Sequence, residues 1–298
     1  MEDKNKSVSG VIVPIITPVD SDGNVEVAEL KKMIDHLLNA GVDGIFVGGS
    51  AGMGPLLKDD QWKVLSKTAY DYVDGRCILF GGAISTSTAR AIDKIRFLED
   101  CGYKYVAVTP TYYITLARSD QFLAHFKACK AATSMDMVVY NIPSCTGSSI
   151  PVEVLEELAA EGLYSVLKES SGDKEYFEKV IAIGKKYGLS ILQGNEPDIE
   201  WGFKQGAKGI VPVCANYEPA TYVSACKAAV SGDDDILHAA QERANSIRDT
   251  LLVNAENWIA GIMYGLKSLG IGNGIPICPL QEISENSKSN IDKITLVN

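Results

Sequence analysis

Short β-branched runs alternate with longer amphipathic stretches along the first two-thirds of this chain, and few architectures accept that pattern. The runs occupy residues 11–17, 44–47, 78–81, 105–109, 137–141, 165–169, 190–193 and 209–213. Between most of them apolar residues fall at helical spacing, clearly at Leu30, Met33, Ile34, Leu37 and Leu38, more weakly at Val180, Ile181 and Gly184. Gly41, Gly102, Gly162 and Gly188 stand where helices would close before the next strand. Near-continuous apolar strands alternating with helices indicate a parallel sheet covered on both faces. Eight such units within roughly 220 residues fit a closed (β/α)8 TIM barrel. An open doubly wound sheet is the alternative, disfavoured because no Gly-x-Gly-x-x-Gly turn follows the first strand. The expectation is a catalytic barrel over residues 1–230 and a C-terminal helical region over 231–298, with helices at 239–253 and 258–269.

The formal net charge of −10 argues against nucleic acid and anionic lipid as partners. The first ten residues carry no apolar core of a signal peptide, and the apolar runs are far below the roughly 20 residues that span a bilayer. A cytoplasmic protein is expected. Seven scattered cysteines show no Cys-x-x-Cys spacing, so neither a disulfide framework nor a zinc knuckle fits, and most are expected to be small buried residues.

In a barrel of this kind the active site is built from loops at the carboxyl ends of the strands. Those positions read Thr17, Gly48-Gly49-Ser50-Ala51-Gly52, Gly81-Gly82, Thr109-Pro110-Thr111-Tyr112-Tyr113, Tyr140-Asn141, Lys168-Glu169-Ser170, Gly194-Asn195-Glu196 and Cys214-Ala215-Asn216. His36, His125 and His238 all fall in helical stretches away from these ends, so histidine catalysis and a histidine metal site are not expected. Lys168 follows Val166-Leu167 on a strand that should be buried. An ammonium there is costly, which lowers its pKa and favours the neutral amine that adds to a ketone. An isolated strand-end lysine more often snorkels to solvent, but the neighbouring strand ends favour the reactive amine. The turn around Gly49, Ser50, Ala51 and Gly52 offers clustered N–H groups suited to a carboxylate, and an ordinary tight loop is the plainer reading. Tyr140, Tyr112 and Ser50 are candidate proton carriers, although isolated tyrosines are more often packing residues.

These residues carry a family resemblance over essentially the whole chain. The pieces are Val13-Pro14-Ile15-Ile16-Thr17-Pro18, Gly49-Ser50-Ala51-Gly52, Thr109-Pro110-Thr111-Tyr112-Tyr113, Tyr140-Asn141-Ile142-Pro143, Leu167-Lys168-Glu169-Ser170-Ser171-Gly172-Asp173 and Gly274-Ile275-Pro276-Ile277-Cys278-Pro279-Leu280. In order and spacing the chain resembles the dihydrodipicolinate synthase and N-acetylneuraminate lyase family. The resemblance implies a Schiff-base lysine at Lys168, a proton-shuttling tyrosine at Tyr140 and a relay hydroxyl at Ser50. It also implies a tyrosine at Tyr112 that in many relatives reaches into a neighbouring subunit. Gly49, Ala51, Gly52, Gly194, Glu196 and Val211 take substrate-facing positions. No metal or organic cofactor is implied. The partners it implies are pyruvate or a similar 2-oxo acid and an aldehyde, and the assembly it implies is a homotetramer built as a dimer of dimers.

Departures from the family pattern bear on substrate. Ala51 replaces a second hydroxyl of the carboxylate turn, and Met53 replaces a glutamate that supports the loop. Cys145 stands where dihydrodipicolinate synthases place an arginine that pairs with a carboxylate on the aldehyde, a contact a thiol cannot imitate. In the sialic-acid branch a sugar-contacting serine would stand at Val213, and only Glu196 of an acidic pair is kept, followed by Pro197. Glu196 is open to two readings, a ligand for polyol hydroxyls or a solvated helix N-terminal acid. The expected activity is a lysine-dependent lyase or aldolase acting next to pyruvate, on a 2-keto-3-deoxy sugar acid or similar 2-oxo acid. Dihydrodipicolinate synthase, N-acetylneuraminate lyase and a dehydratase using the same imine are the alternatives within the class. A non-catalytic 2-oxo acid binding paralogue is the alternative outside it.

Overall fold

Eight parallel strands follow one another around a closed barrel in chain order in the computed structural model, which describes residues 7–294. They are β1 (Gly10–Pro14), β2 (Gly44–Val47), β3 (Ile78–Gly82), β4 (Tyr105–Val108), β5 (Asp136–Asn141), β6 (Val166–Glu169), β7 (Ser190–Gln193) and β8 (Gly209–Ile210). This is the TIM barrel that the alternating pattern predicts. The helices are α1 (Val27–Asn39), α2 (Asp59–Val73), α3 (Thr88–Cys101), α4 (Ser119–Ala131), α5 (Pro143–Thr146), α6 (Val152–Ala160), α7 (Lys174–Tyr187), α8 (Ile199–Gln205), α9 (Pro219–Ser231), α10 (Asp234–Arg248), α11 (Trp258–Ser268) and α12 (Glu285–Ile291).

Two compact units can be described separately. One holds residues 7–10 together with Phe80–Val211, and the other holds Val11–Leu79 with the described residues from Pro212 onward. In the first unit, β4 to β7 pair in unbroken register, and the Cα partners Val108↔Val139, Tyr140↔Lys168 and Lys168↔Leu192 place these residues across the sheet from one another. The backbone N–H of Gly10 donates to the Lys208 carbonyl at 3.1 Å, joining the start of β1 to the segment that leads into β8. Helices α3 and α7 start on side-chain caps, Ser87 accepting from the Arg90 N–H and Asp173 from the Tyr176 N–H. Both end on left-handed glycines, Gly102 and Gly188. Their buried residues, among them Ile95, Leu98, Phe177 and Val180, lie on one stripe of each helix.

In the second unit, β1 pairs with β2 through Ile12↔Gly44, Val13↔Ile45 and Pro14↔Phe46. The Asn216 side chain accepts from the Ile16 N–H at 3.0 Å and donates to the Pro14 carbonyl at 2.9 Å, so a side chain continues the ladder where β1 ends.

Several sequence expectations need correction. The last strand stops at Ile210, because Val211 makes its bond to the Gln193 carbonyl and Pro212 then has no N–H to offer. The helix expected over 239–253 begins at Asp234, where the Asp233 carboxylate accepts from the Ile236 N–H at 3.1 Å, and its end widens into a π-helical turn, Asp249–Val253. The C-terminal segment is not helical throughout, since no helix lies between Ser268 and Glu285. Only three of the seven cysteines are buried, Cys129, Cys214 and Cys226, while Cys145 and Cys278 are exposed. No helix among the described residues is long and apolar enough to cross a membrane.

Candidate active site

Lys168 lies on β6 with only 5% of its surface exposed, so its amine is largely stripped of water. Its Nζ sits 4.1 Å from the ring centroid of Tyr140, its register partner on β5, which is itself 2% exposed. Burial drives the Lys168 pKa down to about 7, against the opposing negative potential of Cys145 and Glu196. Desolvation wins because a π face and one nearby carboxylate do not replace the hydration of an ammonium. The snorkelling reading of Lys168 is therefore wrong.

The acid that faces Lys168 is positioned by the turn after β7. Glu196 opens a 3-10 turn, Glu196–Asp198, and is 6% exposed, which overturns the reading of it as a solvated helix N-terminal acid. Asn195 holds that turn, its N–H donating to Gln193 Oε1 at 2.9 Å and its amide to Asp198 Oδ2 at 2.6 Å. Gly194 precedes it, and a Cβ there would stand 2.8 Å from the Glu169 carbonyl oxygen, so the backbone after β6 leaves no room for a side chain. Val211, just past β8, is buried. The hydroxyls of Ser170 and Thr109 are buried without a hydrogen-bond partner among the described residues. Alternation from the Val108↔Val139 pair puts Thr109 on the barrel face that carries Tyr140 and Lys168. Buried hydroxyls of this kind are suited to a polar ligand.

Cys145 lies on α5, the short helix after β5, and is exposed. Tyr112 is half-buried on the loop after β4. Burial raises its phenol pKa, and the charge that opposes this rise is Arg90 of α3. The next two residues, Tyr113 and Ile114, are 88% and 72% exposed.

The glycine turn belongs to the other unit. Its own hydrogen bonds use the N–H groups of Met53 and Gly54, which reach the carbonyls of Ser50 and Gly49 at 3.1 Å each. Those of Ser50, Ala51 and Gly52 are not used in these two bonds. Thr17 Oγ1 donates to the Gly52 carbonyl at 2.6 Å and pins the turn to the end of β1. A Cβ on Gly54 would lie 2.0 Å from the Gly48 carbonyl oxygen, so the turn closes only with glycine there. Met53 adopts a left-handed φ of 53° with its side chain fully buried, so it packs beneath the turn. Ala51 is buried and Ser50 half-buried.

Sequence reasoning missed two groups. The His125 ring was expected away from the strand ends. Its Nε2 instead meets the Thr109 carbonyl at 2.9 Å and its Nδ1 the Thr88 hydroxyl at 3.0 Å, and burial lowers its pKa. A neutral ring that donates from Nε2 and accepts at Nδ1 satisfies both contacts, so His125 braces the end of β4. The second group is the outward-facing pair Asn141 and Glu169, next in sequence to Tyr140 and Lys168. Asn141 Nδ2 donates to Glu169 Oε1 at 3.0 Å. The paired dipeptides Tyr-Asn and Lys-Glu at adjacent strand ends were the available signal. Among the described residues no group of three or more His, Cys, Asp or Glu is placed to hold a metal ion.

Comparison with known proteins follows the same lines. Residues 7–296 match the model of the dihydrodipicolinate synthetase family. A 4-hydroxy-tetrahydrodipicolinate synthase from an Exiguobacterium species is 28% identical over 95% of both chains. A crystal structure of a dihydrodipicolinate synthase superposes with a TM-score of 0.89 at 26% identity, covering 96% of this chain and 97% of that one. The E. coli K12 prophage protein YagE, solved in complex with pyruvate, has the same fold, with a TM-score of 0.89 at 21% identity over 95% of this chain and 96% of its own.

Proposed function

This chain belongs to the dihydrodipicolinate synthetase family, and from that premise we propose that it cleaves or forms a carbon–carbon bond next to pyruvate in a hydroxylated 2-oxo acid. The enzyme is a class I, Schiff-base lyase or aldolase. The substrate we favour is a 2-keto-3-deoxy sugar acid or a close analogue. The observation that carries the reading is the buried Lys168 amine, held near a pKa of 7 against the face of Tyr140.

The neutral Lys168 amine adds to the C2 carbonyl, and the carbinolamine hydroxyl leaves as water on a proton given by Tyr140, leaving a protonated imine and a phenolate. Tyr140 takes the proton of the C4 hydroxyl as the C3–C4 bond breaks. The aldehyde leaves, and the electron pair is held as the enamine of pyruvate. Protonation at C3 and hydrolysis of the imine then release pyruvate and the free lysine. The family resemblance assigns relay hydroxyls to Ser50 and Tyr112. Gly49, Ala51 and Gly52 hold the substrate carboxylate through backbone N–H groups, and Gly194, Glu196 and Val211 line the arm beyond C3. Replacing Tyr140 by Phe should lower kcat by a factor of about 10²–10⁴. No organic cofactor or metal enters this scheme.

The aldehyde side supports a hydroxylated partner. What supports this is a buried Glu196 carboxylate after β7 and an unpartnered Ser170 hydroxyl after β6, while Cys145 provides no cation for a second carboxylate. The second reading is 4-hydroxy-tetrahydrodipicolinate synthesis, the activity named for the Exiguobacterium relative. The family assembly, a tetramer of two tight dimers, would cover the exposed Tyr113 and Ile114.

The test is peptide mass spectrometry after incubation with pyruvate and borohydride. A reduced pyruvyl adduct on Lys168 is expected. A folded protein that takes no adduct there sinks the mechanism. A screen of sugar acids for pyruvate release then separates the two substrate readings.

A further inference from the structure

Directly behind the reactive pair lies a second pair that the chemistry does not use. Strand register sets Tyr140 opposite Lys168 and Asn141 opposite Glu169. Alternation along each strand then turns Tyr140 and Lys168 to one face of the sheet and Asn141 and Glu169 to the other. Glu169 is a buried carboxylate with 1% of its surface exposed, and Asn141 is fully buried. Glu169 Oε1 accepts from Asn141 Nδ2 at 3.0 Å and from the Ser171 N–H at 2.8 Å. Asn141 Oδ1 accepts from the Ile150 N–H at 3.0 Å, and Tyr176 of α7 donates its hydroxyl to the Ile150 carbonyl at 2.7 Å. One side chain thus ties the ends of β5 and β6, and the loop before α6 and helix α7 hold that tie in place.

The geometry points to Glu169 as a positioning residue whose hydrogen bond with Asn141 fixes the spacing between Lys168 and Tyr140. The inference rests on Lys168 being the imine-forming amine. Its physical basis is that a buried carboxylate is costly in itself, and burial does raise the Glu169 pKa despite help from Ser171 and Asn141. That cost is offset here by the two N–H groups that converge on Glu169 Oε1, and the same bonds fix where the ends of β5 and β6 lie. Reactive geometry is steep in distance, since a misplacement of about 1 Å can cost about a hundredfold in rate.

Burial sets the charge state of Lys168, opposed by Cys145 from α5 and Glu196 from the turn after β7, with the Tyr140 ring of β5 against its Nζ. The groups around Glu169 are Asn141, Ser171, Asp173 and Tyr176. Replacing Glu169 leaves the first set in place, so a change at Lys168 reports on its position.

The experiment compares the full chain with Glu169→Leu, Asn141→Ala and Glu169→Gln. Each is labelled with limiting acetic anhydride across pH, and Lys168 modification is read by peptide mass spectrometry. Circular dichroism confirms folding, and leucine suits the site because it removes a buried charge at similar volume. Gln keeps an oxygen where both N–H donors converge and should behave as the parent chain. Leu and Ala should raise the Lys168 midpoint by at least about one pH unit, as the amine relaxes towards water. They should also slow borohydride-trapped pyruvyl adduct formation by about 10- to 100-fold. Unchanged midpoints in both Leu and Ala variants would overturn the inference, and so would a Gln variant as impaired as Leu, since charge and not the hydrogen bond would then be acting. Failure of the proposed function looks different. The parent chain would label at Lys168 but take no pyruvyl adduct, and the labelling midpoints would still decide the positioning role.

Discussion

Replacing Lys168 by Met should stabilise the fold near neutral pH, and the gain should shrink as the solution becomes alkaline. In the unfolded chain this amine titrates at its ordinary value of 10.5, and in the folded chain at about 7. Between those values the unfolded chain holds a proton that the folded chain has released. Stability of the parent chain therefore rises with pH through this window, by about 1.4 kcal/mol per unit from this one group. Below the lower value the full cost of burying the amine is present, an upper bound of about 5 kcal/mol from the size of the shift. Methionine fills the stem's volume, keeps a sulfur against the Tyr140 ring and carries no such cost. Urea denaturation of both proteins at about pH 7 and about pH 9.5 measures the effect, because other titrating groups cancel in the difference. The variant's advantage should fall by about 3 kcal/mol between the two conditions. An advantage independent of pH, or a parent chain more stable than the variant at pH 7, would refute the claim that Lys168 is a desolvated, neutral amine.

Two further outcomes follow from the same geometry. Cys145→Arg restores a cation on the short helix after β5 and should lower the KM for an aldehyde bearing a carboxylate by about tenfold or more, measured as aldehyde-dependent pyruvate consumption with the parent chain as reference. Gly54→Ala places a Cβ 2.0 Å from the Gly48 carbonyl and should destabilise the chain by about 1–3 kcal/mol, seen as a lower Tm.

The barrel was legible because its signal is collective: strand runs at helix-length intervals leave few foldable options, and the strand bounds 44–47 and 190–193 coincide with those observed. Lys168 was legible only in company: a lysine near the end of an apolar strand more often snorkels, and it was the neighbouring strand ends, with Tyr140 and the glycine turn, that favoured the reactive amine. The parts left open or unread share one cause. Glu196, open to two readings, and Asn141, Glu169 and His125, given no role, depend on partners on other elements, and local pattern does not encode which carbonyl or amide will meet a side chain. An acid after a strand reads as solvated until the turn around Asn195 is seen to fold it inward. The end of the last strand was missed for a different reason, because apolar residues continue past Pro212 while the donors of the ladder do not.

The bond from Gly10 to Lys208 sets a timetable for the nascent chain. The first strand emerges from the ribosome well before the segment that will cover its free edge. At synthesis rates of about 5–20 residues per second that edge waits roughly 10–40 s for its partner. During the wait it is an apolar strand with unpaired backbone donors and acceptors, the kind of template that recruits other chains. Pairing with β2 protects one side early, so the exposed side faces a partner almost 200 residues downstream. Yield of soluble protein should therefore depend on expression temperature and chaperone supply more steeply than the stability of the finished barrel would suggest.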